Sequence, residues 1–381
     1  MGQLETADVV VIGGGVIGLT IARALALRGV RNVVLVERAN LGAEASFAAA
    51  GMLAPQAEAD YADGFFDLCC QSRDMYPTFA AALREETGID SELDQTGTLY
   101  VALTEQDQRE IDHRYDWQVR AGLSIQKLGP IDAQALESCI SQNLSGALKF
   151  PNDIQIENRR LLNALVAANE KLGVRLMTGT TVGSIRSDRG RIEGAETSRG
   201  FISTGTVVVS GGAWSSFIKV LDSPIPRIEP VRGQMVCFGS SQSRPCIARH
   251  VIYSRRGYLV PRLDGRVLAG STTEQAGFNK VVTASGVHSI LSNALEISQR
   301  ISDLPLVGVW AGLRPRAQDS WPVLGPSGEI QGLVFATGHY RNGILLAPIT
   351  GKLIVDAIVD NVVLPDPAFG PDRFANVSVN R

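Results

Sequence analysis

Three glycines near the start of the chain have the spacing of a phosphate-binding loop. Gly13, Gly15 and Gly18 follow a run of apolar residues and precede a segment rich in alanine and leucine. In such a loop the first glycine allows a tight turn, the second lets the backbone approach a pyrophosphate, and the third lets helix and strand pack closely. The N–H groups at the start of the helix then face the phosphates. The spacing therefore predicts a dinucleotide-binding site.

An acidic residue ends the next apolar run, at the place where a ribose would lie. Val33–Val36 is a predicted strand, and Glu37 follows it directly, roughly 20 residues after the glycines. A carboxylate at this place accepts hydrogen bonds from ribose hydroxyls. The order of strand, glycine loop, helix, strand and acid is more specific than the glycines alone. The alternative is a glycine-rich turn in an α/β domain that binds no ligand.

Two arginines have the chemistry to bind an anionic substrate. Arg314 is predicted to end an apolar strand and precedes a proline, and Arg341 lies between another strand and the last predicted helix. Both are therefore predicted at the carboxyl ends of strands, where α/β folds bind ligands. A guanidinium group binds a carboxylate through two parallel hydrogen bonds. The alternative for each arginine is an ordinary surface ion pair.

Side chains for nucleophilic or metal chemistry are not clustered in the sequence. The four histidines are scattered, and neither G-x-S-x-G nor H-E-x-x-H occurs. The five cysteines include no C-x-x-C pair, which argues against a disulfide framework or a zinc site and predicts reduced thiols. We therefore expect no metal site, and we expect a bound cofactor to perform the chemistry while protein groups orient the substrate.

Further strands and glycine-rich segments bracket this site. Residues 206–209 are a predicted strand that runs into Gly211, which favours a second approach of backbone to the cofactor over a plain strand end. Residues 43–51 are rich in alanine and glycine, so they either let backbone lie close to a flat ligand or begin an ordinary helix. Residues 231–271 are predicted to be rich in strands, and residues 347–359 to form the last helix.

The length of 381 residues predicts two domains, because one hydrophobic core stops growing at a smaller size. Strand–helix pieces at the start and end of the chain bracket a strand-rich insertion. The predicted fold class is α/β plus α+β, with a discontinuous Rossmann-like cofactor domain and an antiparallel-sheet substrate domain. The cofactor domain is predicted over residues 1–60, 150–225 and 305–381, and the substrate domain over 61–149 and 226–304. The tail after residue 365 is predicted to be poorly structured.

Composition places the chain among ordinary globular proteins, with 45% hydrophobic and 20% charged residues. The formal net charge of -3 gives no reason to expect nucleic acid or an anionic membrane as partner. The apolar N-terminal segment is broken by glycines and by Arg23, and no basic region or cleavage site frames it. We therefore expect a βαβ unit there, no integral membrane segment, and a cytoplasmic protein.

Five segments of the chain together resemble, in the same order, segments of the glycine oxidases, which belong to the D-amino-acid oxidase superfamily. They are Gly13 to Gly18 with Glu37, residues 49–55, residues 257–262, residues 312–315, and residues 338–348. The last segment, G-H-Y-R-N-G-I-L-L-A-P, is the most specific, whereas many flavoproteins share the N-terminal glycines. The resemblance covers nearly the whole chain.

The resemblance implies that FAD is the cofactor and that two groups of residues line it. The first group is Val16, Ile17, Glu37, Arg38, Ala45, Ser46, Ala50, Gly51, Met52 and Val182. The second group is His339, Tyr340, Arg341, Asn342, Gly343, Ile344 and Leu345.

The resemblance also implies an oxidase of glycine and of small N-substituted glycines such as sarcosine. Arg314 would bind the substrate carboxylate with help from Tyr258, and Arg341 would be a second substrate contact. A hydride would pass from the α-carbon of the neutral amine to flavin N5 without a side-chain base. Dioxygen would reoxidise the flavin and give hydrogen peroxide, and the imine would hydrolyse to glyoxylate or pass to a thiazole synthase in thiamin synthesis. The family habit is a homotetramer.

Two adjacent arginines depart from the family pattern. Arg256, two residues before Tyr258, stands where a histidine or a neutral polar residue is expected, and Arg255 is beside it. If either reached the pocket, a substrate with a second anionic group, such as iminodiacetate, would fit; the favoured alternative is two solvated loop arginines.

Three other functions stay open. They are an oxidase or dehydrogenase of another secondary amine, a non-catalytic flavin-binding scaffold, and an NAD-dependent dehydrogenase. A yellow purified protein would exclude the last of these.

Overall fold

The computed structural model describes residues 5–220, 225–240, 247–364 and 366–374. The strands are β1 (Glu5–Thr6), β2 (Val9–Ile12), β3 (Val33–Val36), β4 (Met52–Leu53), β5 (Thr98–Ala102), β6 (Gln126–Leu128), β7 (Gly146–Phe150), β8 (Ile154–Gln155), β9 (Arg175–Met177), β10 (Val182–Asp188), β11 (Arg191–Thr197), β12 (Gly200–Ser203), β13 (Val207–Val209), β14 (Lys219–Val220), β15 (Ile228–Phe238), β16 (Val251–Ser254), β17 (Gly257–Pro261), β18 (Val267–Gly270), β19 (Leu306–Ala317), β20 (Val323–Pro326) and β21 (Leu333–Thr337). The helices are α1 (Val16–Leu27), α2 (Ala45–Ala48), α3 (Pro55–Glu58), α4 (Gly64–Thr87), α5 (Glu105–Arg120), α6 (Pro130–Leu136), α7 (Asn158–Lys171), α8 (Ala284–Ile297) and α9 (Gly343–Val359).

A six-stranded sheet with the order β20-β21-β13-β2-β3-β9 carries the glycine loop. Its pairs are parallel except for β20 with β21. Val9 and Val11 pack into a core shared with helices, whereas Val10 and Ile12 face a core shared with a second sheet, β1-β12-β11-β10-β14. Both faces of β2 are therefore buried, which is why four consecutive apolar residues form this strand.

The helical layer is made by α1, α4, α7 and α9, which contact one another. Helix α9 begins before the predicted residue 347, and it accommodates Pro348 within its second turn. A proline has no N–H to donate to the carbonyl of Ile344 four residues earlier. The hydroxyl of Tyr76 on α4 donates to that carbonyl instead, and Ser72 Oγ donates to the carbonyl of Leu345 at 2.6 Å. Helix α4 thus supplies the hydrogen bonds that the proline removes.

An eight-stranded sheet with the order β19-β15-β18-β17-β16-β5-β7-β6 forms the other half of the molecule. It is antiparallel apart from the parallel pair β5–β16, which confirms the predicted fold class of a Rossmann-like part joined to an antiparallel sheet.

The placement of Arg314 at the carboxyl end of a strand is wrong. The residue lies inside β19, directly opposite Val231 of β15. The strand continues past Arg314 because β19 is an edge strand of its sheet, and an edge strand tolerates Pro315. The residues before and after Arg314 both pair with β15, so the arginine is held within the strand and not at its free end.

Two segments, α4 and β19, pack with a different part of the molecule from the one in which the predicted domain boundaries place them. Helix α4 was assigned to the substrate part, yet its residues Leu68, Tyr76 and Leu83 lie in the core shared with β2 and α1. Strand β19 was assigned to the cofactor part, yet it pairs with β15 in the large sheet. The side chains of α4 fill the core of the cofactor part, and the backbone of β19 pairs into the large sheet. Boundaries drawn from turn signals reveal neither of these contacts. The division into two domains itself stays a prediction.

The prediction of a poorly structured tail is wrong for residues 366–374. They form two short 3-10 turns, and Phe369 is buried with its ring 5.3 Å from that of Trp321. An aromatic contact with the body of the protein therefore orders this part of the tail. Residues 375–381 lie outside the described residues.

Across the described ranges, no helix is long and apolar enough to cross a membrane. The same residues hold no group of three or more His, Cys, Asp or Glu side chains that could bind a metal ion. Cys69, Cys70, Cys139 and Cys237 are free thiols, and Cys246 lies outside the described residues.

Candidate active site

A cavity of about 280 Å³ lies where β2, β3 and β13 end and meet the large sheet. The predicted site residues line it with two exceptions, Gly18 and Leu345. A Cβ on Gly18 would lie 1.9 Å from the carbonyl oxygen of Gly13, so this glycine lets α1 pack against the loop. Leu345 points into the helical core. Both residues therefore support the cavity from behind instead of facing it.

The glycine loop forms one end of the cavity from backbone atoms. Gly13 has a φ of +109°, and a Cβ there would lie 2.4 Å from the carbonyl oxygen of Ser210, so only glycine fits. Ser210 and Gly211 follow β13, which places the second glycine-rich segment beside the first. The Gly15 Cβ position meets only Ser46 Oγ, at 3.3 Å. The loop is thus a shallow cradle whose open side is the cavity.

The start of α1 provides the electrostatic part of this cradle. Gly15 is the N-cap, the first turn of the helix contains no acidic residue, and the Val16 N–H donates to Ser46 Oγ at 3.0 Å. The remaining N–H groups of this turn and the positive end of the helix dipole favour an anion at this place. These features fit the pyrophosphate of a dinucleotide.

Glu37 is positioned where the cavity reaches the end of β3. Its Oε2 accepts a hydrogen bond from the Gly14 N–H at 2.8 Å, and its Oε1 accepts one from the Ala39 N–H at 2.8 Å. The side chain is buried. A carboxylate has about four lone-pair sites, so two of them stay available to ribose hydroxyls after these two bonds.

An aromatic and charged wall closes the same end. The Arg38 guanidinium lies 3.8 Å from the centre of the Trp214 ring and pairs with Glu44 at 2.6 Å. Glu44 also pairs with Lys280 at 2.8 Å, and the ring of Phe278 lies 5.5 Å from that of Trp214. The segment that precedes α8 therefore reaches across from the large sheet and covers this end of the cavity.

The segment around Gly51 forms the middle of the cavity and is fixed from behind. Gly51 has a φ of +73°, and a Cβ there would lie 2.0 Å from the carbonyl oxygen of Ile156. The buried Arg262 guanidinium donates to the carbonyls of Ala50 at 2.7 Å and Ile156 at 3.0 Å. Residues 43–51 were predicted either to begin a helix or to lie close to a ligand. The segment contains the short helix α2, which is followed by residues that line the cavity.

Arg314 enters the other end of the cavity from β19. Its Nη1 donates to the carbonyl of Thr272 at 3.0 Å, and its Nη2 donates to Ser271 Oγ at 2.7 Å. The guanidinium lies over Gly233, where a Cβ would come within 2.3 Å of it. Burial lowers the pKa of Arg314, although a guanidinium stays protonated. Within the described part of the chain Arg314 forms no ion pair, so its charge is available to an anion.

Tyr258 and Tyr253 stand side by side next to Arg314. They face each other across the β16–β17 hairpin, with ring centres 6.2 Å apart. Tyr258 is 7% exposed, and its hydroxyl lies 3.4 Å from Met235 Sδ. Burial raises the pKa of Tyr253, so its phenol stays protonated near neutral pH. Tyr253 therefore provides a neutral hydroxyl group near the cation, and the hydroxyl of Tyr258 lies beside it.

Arg341 reaches the same end from the turn after β21. The preceding Tyr340 has a φ of +47°, and its N–H donates to the carbonyl of Pro315 at 2.7 Å, which ties the turn to β19. Arg341 Nη2 lies 3.1 Å from Glu58 Oε1 and 3.5 Å from the Tyr253 hydroxyl. The Glu58 carboxylate raises the pKa of Arg341. Arg341, unlike Arg314, is already paired.

His339 is buried beneath the cavity and is neutral. Its Nε2 lies 3.0 Å from Thr350 Oγ1 within α9. Burial lowers the pKa of His339 to about 3, because the charged imidazolium is poorly solvated there. At neutral pH this imidazole is not protonated to imidazolium, so it has no acidic proton to give to a substrate, and it is too weak a base to accept one; its role is to shape the cavity.

Arg255 and Arg256 lie outside the cavity. Arg255 is 47% exposed with Glu110 at 3.8 Å, and Arg256 is 42% exposed and paired with Glu296. Neither residue lines the cavity. Both residues therefore lie in the positions expected of solvated loop arginines, and they do not provide a second anion site.

Sequence reasoning missed several residues of the site, among them Gly233, Trp214 and Glu58. Gly233 makes room for Arg314, and an isolated glycine inside a strand-rich run is a signal that could have found it. Trp214 follows the glycines after β13, and no motif marks an aromatic residue at this place. Glu58 stands in a polar stretch with no motif around it, so no local signal marks it.

The fold and the cavity together define a class of protein. A parallel sheet with a glycine-loop cradle binds a dinucleotide, and an antiparallel sheet presents an unpaired arginine to the same cavity, which is the layout of a flavoprotein oxidoreductase. Residues 8–357 match the family described as FAD dependent oxidoreductase, DAO. The chain belongs to this family, which confirms the predicted resemblance and FAD as the cofactor.

Relatives and solved structures agree with this assignment. The chain is 36% identical over 365 residues to the bifunctional protein ThiO/ThiG of Trichormus variabilis, covering 93% of this chain and 53% of that protein. It spans about half the length of the ThiO/ThiG relatives it matches. The crystal structure of glycine oxidase from Geobacillus kaustophilus is similar with a TM-score of 0.91 and 34% identity, covering 97% of this chain and 99% of that one. The structure of iminodiacetate oxidase from Chelativorans sp. BNC1 is similar with a TM-score of 0.84 and 25% identity, covering 95% and 98%.

Proposed function

We propose that this protein is an FAD-dependent oxidase of glycine and of small N-substituted glycines such as sarcosine. The observation that carries the proposal is Arg314, an arginine without an ion-pair partner among the described residues that lines the same cavity as the glycine-loop cradle. A single unpaired guanidinium suits one carboxylate. Similarity to the glycine oxidase of Geobacillus kaustophilus along almost the full length of both chains supports this substrate class.

The protein's own groups would bind and orient the substrate. Arg314 would hold the carboxylate, and the Tyr258 hydroxyl would stand beside it. Arg341 would be a second contact through the polar cluster that it forms with Tyr253. His339 is neutral, so we assign it no proton transfer, and the substrate amine would bind in its neutral form. The enzyme would therefore contribute positioning and exclusion of water more than acid–base chemistry.

The bound flavin supplies the redox chemistry by taking two electrons from the substrate and passing them to dioxygen. For glycine the balanced reaction consumes dioxygen and water and yields glyoxylate, ammonia and hydrogen peroxide. For an N-substituted glycine the released base is the corresponding amine. An imine that leaves before it is hydrolysed would be available to a further enzyme.

We propose cofactor roles for the predicted lining residues according to their position in the cavity. Gly13, Gly15, Val16 and Gly211 would hold the pyrophosphate, and Glu37 the ribose. The ring system would lie against two segments, residues 45–52 and 339–344. The chain would divide into a cofactor part and a substrate part as predicted, but with α4 in the first and β19 in the second, which their packing supports.

We propose that the product serves a thiazole synthase in thiamin synthesis. Support comes from the relatives that join ThiO to ThiG in one protein, of which this chain matches about half. A cytoplasmic location and a homo-oligomeric state, with a tetramer as the family habit, are part of the same proposal.

Peroxide release in air tests the proposed function. Purified protein is assayed against glycine, sarcosine, D-alanine, D-proline and iminodiacetate. Turnover of glycine and sarcosine supports the proposal, and a strong preference for iminodiacetate would replace it with a dicarboxylate oxidase. Flavin bleaching by an amine without peroxide would indicate a dehydrogenase. Bound FAD with no reduction by any amine would indicate a scaffold.

A further inference from the structure

Glu58 is an acidic residue that the proposed mechanism does not use, although it lines the substrate end of the cavity. It ends the short helix α3 and is 21% exposed. The buried Asp153 accepts hydrogen bonds from the N–H groups of Gln56 at 3.2 Å and Ala57 at 2.8 Å. The backbone just before Glu58 is therefore fixed, and the carboxylate is held at the cavity wall instead of swinging into solvent.

The charges at this end of the cavity are unequal. Among the residues that the structure describes, the hydrogen-bond partners of Arg314 are the neutral Ser271 and Thr272, whereas Arg341 is paired with Glu58 at 3.1 Å. Two arginines and one carboxylate leave one uncompensated positive charge. A substrate with one carboxylate balances this charge, and a substrate with two does not.

We infer that Glu58 is a specificity-determining residue that restricts the enzyme to amines with a single carboxylate. This inference rests on the proposed function and names the substrate class more closely. Glu58 acts in two ways: it occupies the Arg341 guanidinium, and its own charge repels a second carboxylate. Specificity of this kind depends on a repulsive element against the wrong ligand as much as on attraction to the right one.

The geometry explains why a dicarboxylate is disfavoured. Its second carboxylate would have to displace Glu58 from Arg341 and leave that acid unpaired in a partly buried place, which is costly. Replacing Glu58 by a neutral residue removes both the competitor and the repulsion. The Arg341 guanidinium then becomes a second carboxylate site in the cavity that Arg314 also lines.

The test compares Glu58→Gln with Glu296→Gln in the flavin-containing enzyme. Each change neutralises an acid paired with an arginine, but Glu296 and Arg256 are outside the cavity, so Glu296→Gln is the matched control. We expect Glu58→Gln to raise the ratio of kcat/KM for iminodiacetate to kcat/KM for glycine at least about tenfold, and Glu296→Gln to leave it unchanged. Glu58→Ala is measured in the same way in case the glutamine variant loses FAD.

A double variant tests whether Arg341 is the group released. In Glu58→Gln/Arg341→Met the gain for iminodiacetate should disappear, because no second guanidinium remains. A gain that persists in the double variant would overturn the assignment to Arg341. An unchanged ratio in both Glu58 variants, or a wild-type enzyme that already prefers iminodiacetate, would overturn the inference itself.

Ligand binding separates this inference from the proposed function. Acetate and malonate are titrated into the holoenzyme, and binding is followed by the change in flavin absorbance, which requires no turnover. We expect the affinity for malonate relative to acetate to rise at least about tenfold in Glu58→Gln. If the wild type oxidises no amine but the affinity for malonate relative to acetate rises in Glu58→Gln, the proposed function fails while the role assigned to the Glu58 charge holds. If glycine is oxidised and the ratio stays constant, only the assignment to Glu58 fails.

Discussion

The nucleotide end and the substrate end of the cavity are assembled in different ways. At the nucleotide end the glycine loop and Glu37 come from one continuous stretch, and the backbone of that loop forms the cradle. At the substrate end Arg314, Tyr258 and Arg341 come from β19, from β17 and from the turn after β21. Their side chains meet only because the large sheet and the turn are in place.

The nucleotide end depends on local sequence, whereas the substrate end depends on the register in which strands pair. A backbone cradle forms wherever the strand, the glycines and the helix follow one another. The position of Arg314 instead requires that β19 pair with β15 in one register, since a slip of one residue would turn the side chain to the other face of the sheet. The following experiments probe the two ends separately.

Gly15→Val should have the largest effect and should act on the nucleotide end alone. The Gly15 Cβ position meets only Ser46 Oγ, so the new side chain would fill the place of the bound group instead of breaking the core. We expect FAD affinity to fall roughly a hundredfold, which corresponds to about 2.7 kcal/mol. The ratio of flavin to protein absorbance measures this, with Gly205→Ala as control because nothing lies near that Cβ position. A yellow, fully loaded Gly15→Val protein would contradict the pyrophosphate assignment.

Arg314→Ala should affect the substrate end and leave FAD bound. It removes a charge-assisted pair with the substrate carboxylate, worth roughly 1.5–3 kcal/mol. The KM for glycine should rise at least about tenfold. Arg316→Ala is the control, because Arg316 lies on the same strand but pairs with Glu229. Equal kinetics for Arg314→Ala and wild type would remove this residue from the substrate site.

His339→Gln should change how stability depends on pH. The folded protein keeps His339 neutral down to a pKa of about 3, whereas the unfolded chain takes up the proton near 6.5. Between these values the unfolded state binds more protons, so this residue lowers the free energy of unfolding as the pH falls, by about 1.4 kcal/mol per pH unit. The glutamine variant should lack this slope between pH 6 and 4 in urea unfolding.

In that experiment the quantity to compare is the difference in the free energy of unfolding between the variant and the wild type at each pH. Burial raises the pKa of Asp153 to about 7, which gives a slope of the opposite sign over much of the same range. Parallel curves for the two proteins would mean that His339 is protonated in the folded state.

Gly233→Ala should have a smaller effect at the substrate end. The added Cβ would come within 2.3 Å of the Arg314 guanidinium and push it aside without removing its charge. We expect the KM for glycine to rise about fivefold, or roughly 1 kcal/mol, with FAD content unchanged. Gly308→Ala on β19 is the control, because its nearest neighbour, the Trp310 ring, lies at an ordinary 3.7 Å. If both variants behaved alike, the strand pairing would not be what positions Arg314.

Arg256→Ala should have the smallest effect. The side chain is exposed and paired with Glu296 outside the cavity, and exposed ion pairs contribute roughly 0–1 kcal/mol. We expect kcat/KM for glycine and for iminodiacetate to change less than about twofold. A larger loss that is confined to iminodiacetate would return the second anion site to this loop.

The local features of the fold could be predicted from the sequence, and the long-range ones could not. The strand Val33–Val36 has the predicted bounds, and the apolar run before Gly13 forms the strand Val9–Ile12, because β-branched runs of this kind specify a buried parallel strand. The cradle followed from glycine spacing. The position of Arg314 inside β19 did not, because Pro315 normally ends a strand and edge placement is a property of the whole sheet.

Side-chain encounters between distant segments were the least predictable part. Glu58 and Arg341 are separated by 283 positions, and no local pattern indicates that they pair. The packing of helix α4 against β2 and α1 could not be predicted for the same reason, since a stripe of apolar residues predicts burial but not the partner that buries it. The resemblance to a known family supplied the roles of individual residues, which still require the experiments above.

The central position of β2 has a consequence for how the protein acquires its cofactor during synthesis. The strand that carries the glycine loop pairs with β13, and Ser210 Oγ donates to the carbonyl of Ile12 across 198 positions. The phosphate cradle is therefore encoded first but completed only after more than half of the chain has left the ribosome. Contacts of such long sequence separation form slowly. Flavin capture should accordingly be a late event in folding, and bound FAD would report that the nascent chain has closed its sheet.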